Sequence, residues 1–131
     1  MKKLLLILLC LPIIGFGQCI SGDCENGYGV YNDTINLNTY SGYFKNGKIE
    51  GWGEKDLGSG CGELLREGEF KEGQLNGVGI EKFTGPLRFS VYIGEWKDNE
   101  RHGQGTFIQY DEGELITFQK GLWEDGEFLG K

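Results

Sequence analysis

The sequence predicts an all-β protein: consecutive antiparallel β-hairpins stacked into one elongated, twisted sheet. Three observations carry that prediction. The chain has 131 residues, of which 24 are glycine and only 2 proline. That glycine share is far above the average of roughly 7%, and it lacks the strict triplet of collagen. Gly-x-Gly pairs recur at Gly27, Gly51, Gly77 and Gly103, and Gly130 begins a fifth, at intervals of 24 to 27 residues. Stretches such as Tyr92-Ile93-Gly94-Glu95-Trp96-Lys97 alternate as a half-buried strand does. A fixed period of this length marks a repeat architecture.

In chain order, residues 1–17 read as a signal peptide. Lys2 and Lys3 precede an apolar run from Leu4 to Ile14, and Gly15-Phe16-Gly17 offers small residues at a cleavage site. The run is too short to span a bilayer, which takes about 20 apolar residues. The mature chain is expected to start at Gln18, and residues 18–131 form one repeat domain of about five units, the first and last incomplete. Export to the periplasm, cell surface or exterior follows from the leader. Cys19, Cys24 and Cys61 then meet an oxidising compartment. Cys19 and Cys24 are the candidate disulfide, closing a small loop at the N-terminal end. Pairing of either with Cys61 stays open from sequence alone.

The units align by column. Nine residues before the pair stand Gly42, Gly68, Gly94 and Gly121. Seven before stand the aromatics Phe44, Phe70, Trp96 and Trp123. The pairs themselves include Gly51 and Gly53, Gly77 and Gly79, and Gly103 and Gly105. Between aromatic and pair lies a turn, as at Asp98-Asn99-Glu100, where Asn99 suits a positive φ. Each unit is therefore a hairpin, and glycine within its strands signals close approach of another group. The repeated aromatic ring is the expected neighbour. One hairpin cannot bury its own face, but a stack can. Extra residues near Asp56 to Leu65, Thr84 to Arg88 and Asp111 to Leu115 fall between hairpins.

These columns carry a resemblance. Tyr92-Ile93-Gly94-Glu95-Trp96 with Lys97-Asp98-Asn99, then His102-Gly103-Gln104-Gly105-Thr106-Phe107, resembles a membrane occupation and recognition nexus (MORN) repeat, here of a bacterial, secreted type. Tyr40-Ser41-Gly42-Tyr43-Phe44 leading to Gly51-Trp52-Gly53 is a second match, and Glu67-Gly68-Glu69-Phe70 leading to Gly77-Val78-Gly79 a third. The segment from Cys19 to Tyr31 has only the returning half. The resemblance implies interaction with a protein partner or a membrane lipid surface. Tyr40 and Tyr92 join the four repeated aromatics as core or as a binding face.

The chemistry of the side chains points the same way. Twenty acidic against 13 basic residues give a net charge of −7, which excludes nucleic acid as a partner. His102 is the sole histidine and sits at a repeat position, so a structural role is expected. No Ser-His-Asp set, P-loop or metal-ligand spacing stands out. The expected function is non-catalytic and cofactor-free: an exported protein-interaction or scaffold module, with phospholipid binding as the alternative.

Overall fold

The computed structural model describes residues 17–58 and 60–131, so the expected signal peptide lies outside the described residues except for Gly17. No helix occurs among them. Ten strands follow one another: β1 (Gln18–Gly22), β2 (Tyr28–Asp33), β3 (Asn38–Lys45), β4 (Lys48–Asp56), β5 (Glu63–Lys71), β6 (Gln74–Thr84), β7 (Arg88–Lys97), β8 (Glu100–Asp111), β9 (Glu114–Glu124) and β10 (Glu127–Gly130). They form one open antiparallel sheet in strict sequence order. The expected hairpin stack is the observed fold.

The tips are two-residue turns with both central residues at positive φ: Asn46-Gly47, Glu72-Gly73, Asp98-Asn99 and Asp125-Gly126. That conformation matches the twist of paired strands and favours Asn, Asp and Gly. Glu72, at φ 50°, is the misfit among them. Its contact with Lys48, 3.7 Å between two exposed side chains, contributes little. Glu72→Asn is expected to raise stability by about 0.5 kcal/mol, read as a higher midpoint in urea at unchanged slope.

The glycine columns meet in space. Gly29, Gly42, Gly53, Gly68, Gly79, Gly94, Gly105 and Gly121 are successive cross-strand partners. They form a bare stripe running perpendicular to the strands from β2 to β9. Beside it the register slips within each central hairpin, after Gly42, Gly68 and Gly94. Such bulges bend a strand and increase its twist. The bent tips then bond to one another. The N–H groups of Gly47, Gly73, Asn99 and Gly126 donate to the carbonyls of Glu25, Ile49, Leu75 and Arg101 at 2.9 to 3.0 Å. This second line of hydrogen bonds fixes each unit on its predecessor.

The buried core lies on the glycine-stripe face: Tyr40, Phe44, Phe70, Leu75, Tyr92, Trp96 and Trp123. The expectation that the repeated Phe or Trp covers the glycines is corrected here. A Cβ on Gly42 or Gly53 would fall on the ring of Tyr40, and one on Gly94 or Gly105 on that of Tyr92. In the middle hairpin Leu75 covers Gly68 and Gly79. The repeated aromatics instead stand edge-on against those rings. Tyr40 lies 5.3 Å from Phe44 and 5.4 Å from Phe70, and Tyr92 lies 5.0 Å from Trp96 and 5.2 Å from Trp123. Edge-to-face pairs of this kind add about 0.5–1.5 kcal/mol each beyond burial. Tyr40 and Phe44 flank Gly42 at equal distance along the strand, as Tyr92 and Trp96 flank Gly94, but the register slip falls on the Phe44 and Trp96 side, so only Tyr40 and Tyr92 stand in regular register beside the stripe. Cys19 and Cys24 are bridged, with Cys24 packed against the core beside Gly29.

Candidate functional site

The two faces of the sheet differ in kind. On the glycine-stripe face, one row of cross-strand partners runs Tyr31, Tyr40, Lys55, Arg66, Glu81, Tyr92, Phe107. Arg66 occupies in the middle hairpin the column that holds Tyr40 and Tyr92 in its neighbours. Arg101 likewise replaces the column of Ile49 and Leu75. Glu81 receives both arginines, at 2.8 Å from Arg66 and 3.2 Å from Arg101. All three side chains are mostly buried, 15 to 22% exposed. Arg101 also lies over Phe107 at 4.2 Å and Tyr92 at 5.0 Å, and Arg66 over Trp96 at 5.5 Å. Lys55 faces Arg66 across the strands. Burial, and then the neighbouring guanidinium, hold its amine below the ordinary lysine value, against the pull of Asp33. Over its central and C-terminal hairpins this face is filled by its own rings and ions; at its N-terminal end lie two hollows, one of about 670 Å³ beside Tyr31, Phe44 and Ile49 and a smaller one beside Tyr40 and Lys55.

Six sequence-selected aromatics are thus placed. Tyr40, Phe44, Phe70, Tyr92, Trp96 and Trp123 are all buried. The phenol of Tyr40 donates to the carbonyl of Tyr43 at 3.2 Å, and that of Tyr92 to the carbonyl of Glu95 at 3.1 Å. Burial pushes both phenols up to about 12. An unfolded phenol titrates near 10. Stability from the neutral rings is therefore complete below about pH 10 and is lost as pH rises through 12. Alkaline unfolding followed by near-ultraviolet circular dichroism should fall in that window. The Tyr40→Phe, Tyr92→Phe double variant should move it upward.

The opposite face is open. Its rows pair Tyr28 with Tyr43, Trp52 with Glu69, Glu54 with Glu67, Ile80 with Ile93, and Val91 with Ile108 and Phe118 across β7, β8 and β9. Large apolar side chains stand exposed there, among them Trp52 at 49%, Val78 at 53%, Ile93 at 52% and Phe118 at 59%. Sequence reasoning missed this face, because it followed the columns that every unit shares, whereas these positions change from unit to unit. Alternation counted outward from each glycine would have found them.

Potential chemistry is sparse. His102 is half-buried, and its Nδ1 stands 4.0 Å from the Asp125 carboxylate, beyond hydrogen-bond range. Cys61 is exposed and unpaired among the described residues. No cluster of three metal-ligating side chains occurs among them.

The MORN repeat family model matches residues 40–62, 67–85 and 92–113. Each match opens on or next to the first strand of a central hairpin and ends past its returning strand. The chain is also 33% identical over 113 residues to rat Alsin, covering 81% of this chain, and 33% identical over 108 residues to human Alsin, covering 77%. It spans only 6% of the length of either relative. The three register slips beside the glycine stripe and these three matches fall on the same three hairpins, and the chain carries three MORN repeats in tandem.

Proposed function

We propose that the chain is an exported, non-catalytic interaction module that binds a protein partner through the open face of its sheet. One observation carries the reading: a single-layered sheet packs its core on one face and leaves large apolar side chains uncovered on the other. Isolated exposed apolar residues are ordinary, but contiguous rows of them mark interaction surfaces. Ile80, Ile93 and Phe118 are exposed in adjoining rows, with the half-buried Val91 and Ile108 beside them. On the glycine-stripe face the central and C-terminal hairpins are covered by their own rings and ions, and its hollow of about 670 Å³ lies at the N-terminal end, beside Tyr31, Phe44 and Ile49. The leader at residues 1–17 and the Cys19–Cys24 bridge support an oxidising, exported location. Sequencing of the native N-terminus should then begin at Gln18, and a Met1 start would refute export by cleavage.

The binding test is a cross-linked pull-down compared with Ile93→Glu. Ile93 is half-exposed, so the variant should fold, with stability changed by no more than about 0.5 kcal/mol. It should capture at least tenfold less partner, and capture by the native chain should persist at high salt because apolar contact is not screened. Equal capture by the variant overturns the assignment of the face. Phospholipid binding is the second reading, favoured by the exposed ring cluster of Tyr28, Tyr43 and Trp52, since amphipathic rings suit an apolar–aqueous boundary. Co-flotation with liposomes, lost in Trp52→Leu and kept in Ile93→Glu, would select it.

A further inference from the structure

On the open face, at the N-terminal half of the sheet, Tyr28, Tyr43 and Trp52 border a depression of about 290 Å³. Ser41 and Gly53 contribute to its lining, and Glu54 and Glu67 line it as well. The volume is at the lower end of small-molecule sites, roughly 300–1,000 Å³. Tyr28 and Tyr43 are set edge-to-face, 5.6 Å apart. All three rings are about half exposed, at 49 to 55%, so their faces are not consumed by the core.

The carboxylates make this more than a hydrophobic hollow. Glu54 and Glu67 are direct cross-strand partners. Like charges directly opposite one another destabilise a sheet. Neither has an ion-pair partner among the described residues. The fold does not demand them. One repeat later the same two positions hold Ile80 and Ile93, again direct partners. The repeat therefore accepts an apolar pair where this unit places two negative charges beside three aromatic rings.

We propose that this depression binds a small organic cation of the quaternary or methylated ammonium type. Ring faces attract a weakly hydrated cation through their quadrupole, and aromatic cages of this kind recognise quaternary ammonium groups. Glu54 and Glu67 supply the charge that the cation neutralises, and their mutual repulsion is relieved when it binds. A strongly hydrated inorganic ion would engage the carboxylates without using the rings.

Choline is the probe. Trp96 and Trp123 are buried, so a change in tryptophan emission reports mainly on Trp52. Choline should give a saturable change with half-saturation at about 1 mM, the weak affinity of a shallow site. Sodium at equal ionic strength, and the neutral carbon analogue 3,3-dimethylbutanol, should give none. Glu54→Gln with Glu67→Gln should weaken binding about tenfold, and Tyr43→Leu about fivefold, each as removal of roughly one interaction of this class. Glu54→Ile with Glu67→Ile copies the next repeat, so it should fold as well as the native chain and bind choline no better than sodium. Phosphatidylcholine vesicles separate the two sources of the group. Retention on vesicles lost in Trp52→Leu places the cation on a lipid headgroup, and choline binding without retention places it on a free solute. An equal response to sodium or to the neutral analogue, or undiminished binding in both glutamate variants, overturns the proposal.

Discussion

Gly105→Val is expected to destabilise the protein by about 3–5 kcal/mol, enough to leave much of the chain unfolded. Gly105 needs no unusual φ, so the cost is steric. A Cβ there falls on the ring of Tyr92. That ring is fully buried between Trp96 and Trp123 and has nowhere to move. Overpacking alone costs about 1–3 kcal/mol, and expelling the ring forfeits a buried aromatic, worth about 3–5 kcal/mol on truncation. Native domains hold only about 5–15 kcal/mol in reserve. Gly113→Ala is the control. Its Cβ meets nothing within 4 Å, but its φ is +82°, so it should cost only about 1 kcal/mol. The cause is isolated by a double-mutant cycle. Tyr92→Leu alone should destabilise, but it should shelter Gly105→Ala, because Leu75 already covers Gly68 and Gly79 in the middle hairpin. Denaturant midpoints for the four chains should show a coupling of at least about 1 kcal/mol. Strict additivity would mean that the ring does not press on the stripe.

The glycine stripe explains both what the sequence made legible and what it hid. A glycine that recurs nine residues before Gly51, Gly77, Gly103 and Gly130 is visible as a column, and the spacing already required a hairpin between them. That the columns become one row of direct partners follows from pairing register, which columns alone do not contain. The covering side chain was hidden for the same reason. Tyr40 and Tyr92 share a column, but Arg66 breaks it, and Leu75 performs the task from the opposite strand. A function that alternates between two columns looks like noise in each. The candidate site was less legible still. Glu54 and Glu67 become conspicuous only once they are seen opposite each other, with Ile80 and Ile93 as their counterparts one unit on. The tip hydrogen bonds are backbone contacts and leave no residue signature beyond the turns that present them.

The second large effect is expected at Glu81. Glu81→Gln removes the carboxylate shared by Arg66 and Arg101 and leaves two guanidinium groups mostly buried, with the amine of Lys55 opposite one of them. Breaking a buried ion pair by deleting one partner costs about 3–5 kcal/mol, because the remaining charge stays desolvated. The residual exposure of these side chains and the rings under Arg101 soften that to about 2–3 kcal/mol. The exposed Lys48–Glu72 pair sets the contrast: its removal should change stability by less than about 1 kcal/mol. Replacing all three members of the triad with apolar residues should be far milder than Glu81→Gln alone, since no charge is then stranded. Chemical denaturation of the three variants checks that order, and an apolar triad as damaging as Glu81→Gln would refute the stranded-charge account. The same triple variant separates the two faces of the sheet. If it folds and still captures the partner that Ile93→Glu loses, the ions of the glycine-stripe face serve the fold and recognition belongs to the open face. If it folds and capture is lost, recognition moves to the cluster around Glu81, where Lys55, Arg66 and Arg101 gather positive charge on an acidic chain.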